Sequence, residues 1–358
     1  MHWELSDEQE LFASSLREWL AAKFPTDTVR ELVDAGDTAG FAEALVGEGW
    51  WGVGYAEDVD GQGGGILELA LAAREFGRAA VPDSRWLAAA LSAPLLSVEE
   101  LAAQVAGEKL FVVAVRADRA PGDGGRTLRL STDGSTVTGS VSHVLAASDA
   151  DVFLVPVQRP EGLAIARVPA EGATTHAEHL LDRSRSAATV DFDAAPVSAV
   201  SSDGSSLQQV GRRAAVLIAA DALGSAERML ELAVEYSKQR KQFGQFIGSF
   251  QAVKHAAAQM LVTVESAYSI ALYAAAAADA ELADADTIAA VAKAQVTAPV
   301  ADLADSALTV HGAIGYTWEH DLHLFYKRAK LDRVLFGTPA TWNERIAAAV
   351  LDTAPSES

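Results

Sequence analysis

The sequence contains no cysteine among its 358 residues, which excludes a disulfide framework, a thiolate metal site and a cysteine nucleophile. Basic residues are also scarce, 28 Lys and Arg against 49 Asp and Glu, for a formal charge of −21. Such a field repels phosphate at long range and argues against nucleic acid or an anionic membrane as partner, so any phosphate ligand has to be met by local Arg and Lys. Half the residues are hydrophobic, yet no uninterrupted apolar run reaches the length of a membrane span. The N-terminal stretch reads as a capped amphipathic helix with an acidic first turn rather than a basic signal peptide, and a cytoplasmic location is the expectation. A P-loop, a dinucleotide fingerprint and a Gly-x-Ser-x-Gly elbow are all missing.

What is present has room for two or three domains. Helical patterning runs from Ser6 to about Ala106. Ser6, Asp7, Glu8 and Glu10 open the first helix, Leu11, Leu16, Trp19 and Leu20 form its apolar stripe, and another helix spans Gly40 to Glu48. A glycine-dense loop follows and leads into a helix over 66–80. From about Lys109 to Val200 the pattern changes to short Val-, Thr- and Leu-rich segments punctuated by Gly, Pro and Asp, which reads as a small antiparallel barrel or sandwich. Beyond Ser206 the chain is helical and alanine-rich, with four long helices in antiparallel order and Pro299 expected to kink or interrupt the third. The fold class is therefore α+β: an N-terminal helical domain (1–108), a middle β domain (109–203), a C-terminal four-helix bundle (204–352) and a disordered tail (353–358).

The most informative stretch is Ala233 to His255, AVEYSKQRKQFGQFIGSFQAVKH, a helix that breaks at Arg-x-x-Phe-Gly and resumes at Phe250-Gln251. Gly244 and Gly248 permit close backbone approach to a ligand. Arg240 can pair bidentately with phosphate, Phe243 offers a flat apolar face and Gln251 has amide donors and an acceptor, a set suited to a nucleotide pyrophosphate. Taken alone, the same pattern also fits a solvated Arg and a core Phe. The basic clusters Lys238, Arg240, Lys241 and Lys327, Arg328, Lys330, Arg333 read singly as solvated faces with salt bridges. His320 and His323, beside Glu319, lack the spacing of the helical zinc motif and any evident further ligand.

This stretch, together with HGAIGYTWEHDLHLFYKRA, resembles the C-terminal domain of acyl-CoA dehydrogenases, and the first hundred residues resemble their N-terminal domain, with Ala56-Glu57 in place of the family's Pro-Glu. The resemblance implies FAD as cofactor and an acyl-CoA thioester as substrate. It implies that Arg240, Gln242, Phe243, Phe250 and Gln251 bind the ADP part of FAD belonging to a neighbouring subunit, with Gly312 and Thr338 as further cofactor contacts. Thr309 and Ala313 depart from the family's Gln-x-x-Gly-Gly-x-Gly contact.

Family members remove the α proton with a carboxylate while the β hydride goes to flavin. The matching C-terminal position holds Phe336, within Leu335-Phe336-Gly337-Thr338, and the alternative position on the preceding helix holds Ala214, flanked by Arg212 and Arg213. Asp221, on an apolar helix face, is the one remaining candidate base; a structural carboxylate is the competing reading. The family's Thr-Glu-Pro-Gly loop and Trp-x-Thr stretch, which hold the flavin ring, are replaced by ADRAPGDGG and GSVSHVLAAS. The implied reading is a base-lacking subunit of a heteromeric actinobacterial acyl-CoA dehydrogenase, whose partner is a homologous catalytic subunit and whose electron acceptor is an electron-transfer flavoprotein. A flavin-dependent monooxygenase of the same fold and a non-catalytic scaffold without FAD are the alternatives.

Overall fold

Ser6 starts the first helix through reciprocal bonds: its hydroxyl accepts the Gln9 N–H at 3.3 Å and the Gln9 side chain accepts the Ser6 N–H at 3.0 Å. In the computed structural model, which describes residues 5–37, 39–122, 128–201 and 206–352, this helix is α1 (Asp7–Lys23). It turns Ala13, Leu16 and Leu20 inward but leaves Leu11 66% exposed, so Leu11 is not part of the stripe. Next come α2 (Thr26–Ala35), α3 (Ala39–Gly47), α4 (Ile66–Ala79), α5 (Ser84–Ser92) and α6 (Val98–Val105). Their core contains a run of edge-to-face rings, Phe24, Phe41, Phe76 and Trp86, with centroids 5.0, 5.2 and 4.9 Å apart, the arrangement that aromatic quadrupoles favour.

Eight strands follow: β1 (Phe111–Val113), β2 (Arg129–Leu130), β3 (Thr136–Leu145), β4 (Val152–Arg159), β5 (Gly162–Pro169), β6 (Ala173–Glu178), β7 (Ala187–Pro196) and β8 (Ala199–Ser201). They form two four-stranded sheets, ordered β1-β4-β5-β8 and β2-β3-β7-β6. The inner faces meet at Phe153 on β4 and Phe192 on β7, whose rings are 5.7 Å apart. The expected antiparallel sandwich is present with one exception, since β1 pairs with β4 in parallel.

The remainder is helical: α7 (Ser206–Gln239), a small hairpin of β9 (Lys241–Gln242) and β10 (Gln245–Phe246), α8 (Gln251–Asp279), α9 (Ala285–His311), α10 (Leu322–Asp332) and α11 (Pro339–Asp352). In place of a fourth long helix the bundle has the shorter α10 and α11, both packed on α9. Pro299 does not interrupt α9. The residues around it, Val296, Thr297, Val300 and Ala301, are fully buried, and this packing holds the helical path where the missing proline N–H would otherwise break it. α8 is apolar enough by composition to span a bilayer, with a mean hydropathy of 1.4 over 18 residues, but 44% of that window is buried within the fold. The tail 353–358 lies outside the described residues.

Two close contacts join the helical regions. α4 and α7 cross where a Cβ on Gly77 would overlap the Asp221 carbonyl and a Cβ on Gly224 would overlap the Arg74 carbonyl, so both glycines are required by backbone approach. Asp279, the last residue of α8, accepts the N–H groups of Ile66 and Leu67 at 2.6 and 2.8 Å and so caps α4 from the C-terminal region.

Candidate functional site

The break after α7 is a two-residue hairpin loop in which Phe243 (φ 51°) and Gly244 (φ 76°) both have left-handed backbone. This is the geometry of a type I′ turn, for which Asn-Gly is the low-strain choice and a bulky aromatic is not. The Phe243 ring is 92% exposed and meets only the edge of Phe250, 6.1 Å away. The fold gains almost nothing from it. Arg240, at the base of the hairpin, bonds through its backbone to Tyr236 and Ile247, and among the described residues its exposed guanidinium has no hydrogen bond or ion pair. Gln242 and Gln251 are exposed, and Phe250 serves as the N-cap position of α8 rather than its first residue. Arg240, Gln242, Phe243, Phe250 and Gln251 therefore share one corner, in which all but the half-buried Phe250 are exposed. Gly312, at the end of α9, follows His311, whose ring stacks on Tyr236 at 4.8 Å, which places it beside the last turn of α7.

Phe336 and Ala214, the two positions matched to a base, lie in closed packing. Ala214 is fully buried, Arg212 next to it pairs with Asp286 at 2.5 Å, and Arg213 donates to the Ala90 carbonyl. Phe336 is 1% exposed. Its N–H donates to the Ala117 carbonyl at 2.5 Å, and the Ala117 N–H donates to the His143 carbonyl at 2.8 Å. The Trp342 ring N–H donates to the Phe336 carbonyl at 3.0 Å, and Gly337 sits tightly between Ala120 and Trp342. Three stretches far apart in sequence, 336–337, 117–120 and 143, are thus bonded to one another. Thr338 is exposed, but its hydroxyl accepts the Thr341 N–H at 3.3 Å and caps α11; among the described residues no hydrogen bond links it to the hairpin.

Asp221 is overturned as a base. It is 1% exposed and accepts from Arg328 at 2.6 and 2.9 Å, with Arg185 at 3.1 Å. Burial would raise its pKa, but these two guanidiniums hold it down to about 2, so it is a fixed anion that takes up no proton near neutral pH. Arg328 reaches Asp83 at 3.0 Å and the Val81 carbonyl at 2.7 Å, and Arg185 reaches Asp83 at 2.9 Å. The cluster locks all three structural regions together. Arg328, read from its neighbours as part of a solvated face, is fully buried because its partners come from elements the sequence does not place beside it. Asp332 completes the cluster; burial and the Asp221 charge push its carboxyl well above the usual range. Lys293 is also fully buried and donates to the Asp332 and Gly337 carbonyls at 2.9 and 3.0 Å, with its pKa lowered by burial to about 7. His320 stands edge-on to His311 at 4.5 Å while His323 packs on Trp318 at 4.7 Å.

The FAD suggested by the resemblance can be tested against these residues. A free guanidinium beside an outward-facing ring fits its pyrophosphate and adenine end. The 336, 117–120 and 143 stretches, bonded to each other around the buried Ala117, Ala120 and Phe336, do not fit its ring end.

The family profile for the acyl-CoA dehydrogenase N-terminal domain matches residues 6–103, and that for the C-terminal domain matches residues 210–351. FadE34 of Mycobacterium tuberculosis is 32% identical over 96% of this chain and 48% of its own length. IpdE2 of the same organism is 41% identical over 39% of this chain and 42% of its own length. The chain thus spans about half the length of these two curated relatives. The solved Tcur3481–Tcur3483 steroid acyl-CoA dehydrogenase has a TM-score of 0.87 at 25% identity, covering 98% of this chain and 99% of the other. The ChsE4–ChsE5 complex from Mycobacterium tuberculosis has a TM-score of 0.85 at 24% identity, covering 99% and 100%. With two matched domains in the right order and the fold reproduced end to end, the chain belongs to the acyl-CoA dehydrogenase family.

Proposed function

We propose that this chain is the non-catalytic subunit of an FAD-dependent acyl-CoA dehydrogenase, offering the Arg240–Gln251 corner to the ADP end of FAD while a homologous partner supplies the flavin-ring pocket and the base. FAD, when bound in that assembly, supplies the hydride acceptor for oxidation of the Cα–Cβ bond of an acyl-CoA thioester. The α proton must go to a carboxylate, and this chain has none at Phe336 or Ala214. Arg240 pairs with the pyrophosphate, Phe243 and Phe250 cover an apolar face, and Gln251 fixes the nucleotide's orientation. An electron-transfer flavoprotein is the expected acceptor of the electrons.

The observation that carries the reading is the strained, 92% exposed Phe243 beside a guanidinium without a partner among the described residues, in a chain whose own base position is buried. Backbone strain that the fold does not need marks a position held for a ligand or partner. Two further facts support a partner: α8 exposes Leu261, Val262 and Tyr273 along its length, and two structures of this fold are by name two-component assemblies, Tcur3481–Tcur3483 and ChsE4–ChsE5. The test is to assay the purified chain, alone and co-expressed with a homologue that has a carboxylate at the base position, on acyl-CoA thioesters with an artificial electron acceptor. Turnover and bound FAD are expected from the pair only. Turnover by the isolated chain would overturn the proposal.

A further inference from the structure

An open cavity of about 380 Å³ lies between α1, the start of α2, α4, α7 and α10, and none of its lining residues belongs to the Arg240 hairpin. Its apolar wall includes Leu20, Phe24 and Phe325, each buried to at least nine-tenths. Three guanidiniums line it: Arg17 from α1, Arg78 from α4 and Arg228 from α7. Arg17 grips the buried Glu75 in a two-point pair at 2.7 and 2.8 Å. Arg78 pairs with Glu231 and lies 3.6 Å from Glu227, Arg228 reaches Glu231 at 3.2 Å, and Arg74 takes Glu227 at 2.6 Å. Four cations therefore share three carboxylates, leaving one positive charge over in a chain whose formal charge is −21.

Donor counting sharpens the point. Each guanidinium has five N–H donors, and side-chain hydrogen bonds within the described residues use two from Arg17, one from Arg78 and one from Arg228. The remaining donors make no side-chain hydrogen bond among the described residues, and all three guanidiniums line the cavity. An apolar wall next to unused guanidinium donors with a single excess positive charge is complementary to a molecule with an apolar body and one negative charge.

We infer that this cavity binds a small apolar carboxylate, its carboxylate on Arg228 and Arg78 and its body against Leu20, Phe24 and Phe325. The site bridges α1 to α7 and requires neither FAD nor a partner subunit, so it stands or falls separately from the proposed function. The experiment is calorimetric titration of the full chain with benzoate at constant ionic strength, using sodium chloride and inorganic phosphate as comparison solutes. Saturable binding at one benzoate per chain is expected, with phosphate weaker because it forfeits the apolar wall. Arg228→Gln, which among the described residues gives up a single side-chain bond, to Glu231, should weaken benzoate binding at least tenfold. Ala21→Trp, on the exposed lip, should block the cavity without removing any ion-paired group. A response equalled by chloride, or benzoate binding unchanged in both folded variants, would overturn the inference.

Discussion

Phe243-Gly244 and Phe336-Gly337 are the same dipeptide in similar left-handed backbone, with φ of 51° and 76° in the first and 55° and 106° in the second. Their surroundings are opposite. The first ring is 92% exposed at the tip of a hairpin, and the second is 1% exposed beneath Ala117 and Trp342. At 336 the strain is offset locally, because the turn buries a whole aromatic side chain and ties two loops to β3. At 243 the turn buries no side chain, and among the described residues the ring meets only the edge of Phe250. The pair separates a ring that the core encloses from a ring that the core leaves outside it.

The largest test of that separation is to put a carboxylate where the family's base belongs. Phe336→Glu removes a buried ring and leaves an unpaired charge in its place, so it should cost on the order of 3–5 kcal/mol. It should also yield no dehydrogenation by the isolated chain, since the 117–120 stretch occupies the adjoining space. Urea unfolding of the variant is the check. A variant as stable as the parent would mean that this loop has room for an ionised group and that the two turns are less different than they look.

The closed half also has a pH signature. Lys293 ties the Gly337 carbonyl to the end of α10, and burial lowers its pKa to about 7, whereas an unfolded lysine titrates near about 10.4. Between these values the unfolded chain holds a proton that the folded chain has released, so stability should rise with pH from about 7 towards 10, by up to about 1.4 kcal/mol per unit. Below pH 7 both states are protonated and the dependence vanishes. Lys293→Met should flatten the rise, and the difference between the two unfolding profiles cancels groups common to both. Parallel profiles would show that Lys293 stays charged in the folded protein.

Much of the scaffold was legible because its signals are local. The Ser6 box, the 66–80 periodicity and the glycine-dense loop all depend on residues within a turn or two of each other. What was not legible depends on distant partners. β1 lies parallel to β4, β6 is an edge strand with Thr174, Thr175 and His176 exposed and so lacks apolar alternation, and α9 continues through Pro299 because buried neighbours hold it. At the candidate site, Arg240 and Phe243 were readable as chemistry, and the structure adds that they are exposed. The Phe336–Ala117–His143 connection and the Asp83–Arg185–Asp221–Arg328 cluster join several regions of the chain, and no short motif announces them.

A smaller effect is expected on the open side. If Arg240 forms a charge-assisted pair with the FAD pyrophosphate, Arg240→Ala should weaken FAD binding by the assembly by about 1.5–3 kcal/mol, or about tenfold to a hundredfold. Arg240→Lys keeps the charge but loses the planar fork, and should recover only part of this. Titrating FAD into the apo assembly by flavin fluorescence measures both. Equal affinity in the parent and Arg240→Ala, with the assembly intact, would reduce Arg240 to a surface cation.

The smallest expected effect is the most discriminating, and it concerns Phe243→Asn. Asparagine adopts left-handed backbone more readily than phenylalanine and makes the turn Asn-Gly, the favoured type I′ pair. The ring it removes is exposed and, among the described residues, its one ring contact is with Phe250, so the stability of the isolated chain should stay within about 0.5 kcal/mol of the parent or improve by that amount. FAD retention by the assembly should nevertheless fall, because the nucleotide loses an apolar face that asparagine cannot supply. A phenylalanine kept for folding would give the reverse, lower stability with FAD binding unchanged. Unfolding of the chain alone and FAD titration of the assembly thus move in different directions under the two accounts, and only a loss confined to FAD binding leaves the contrast between the two Phe-Gly turns intact.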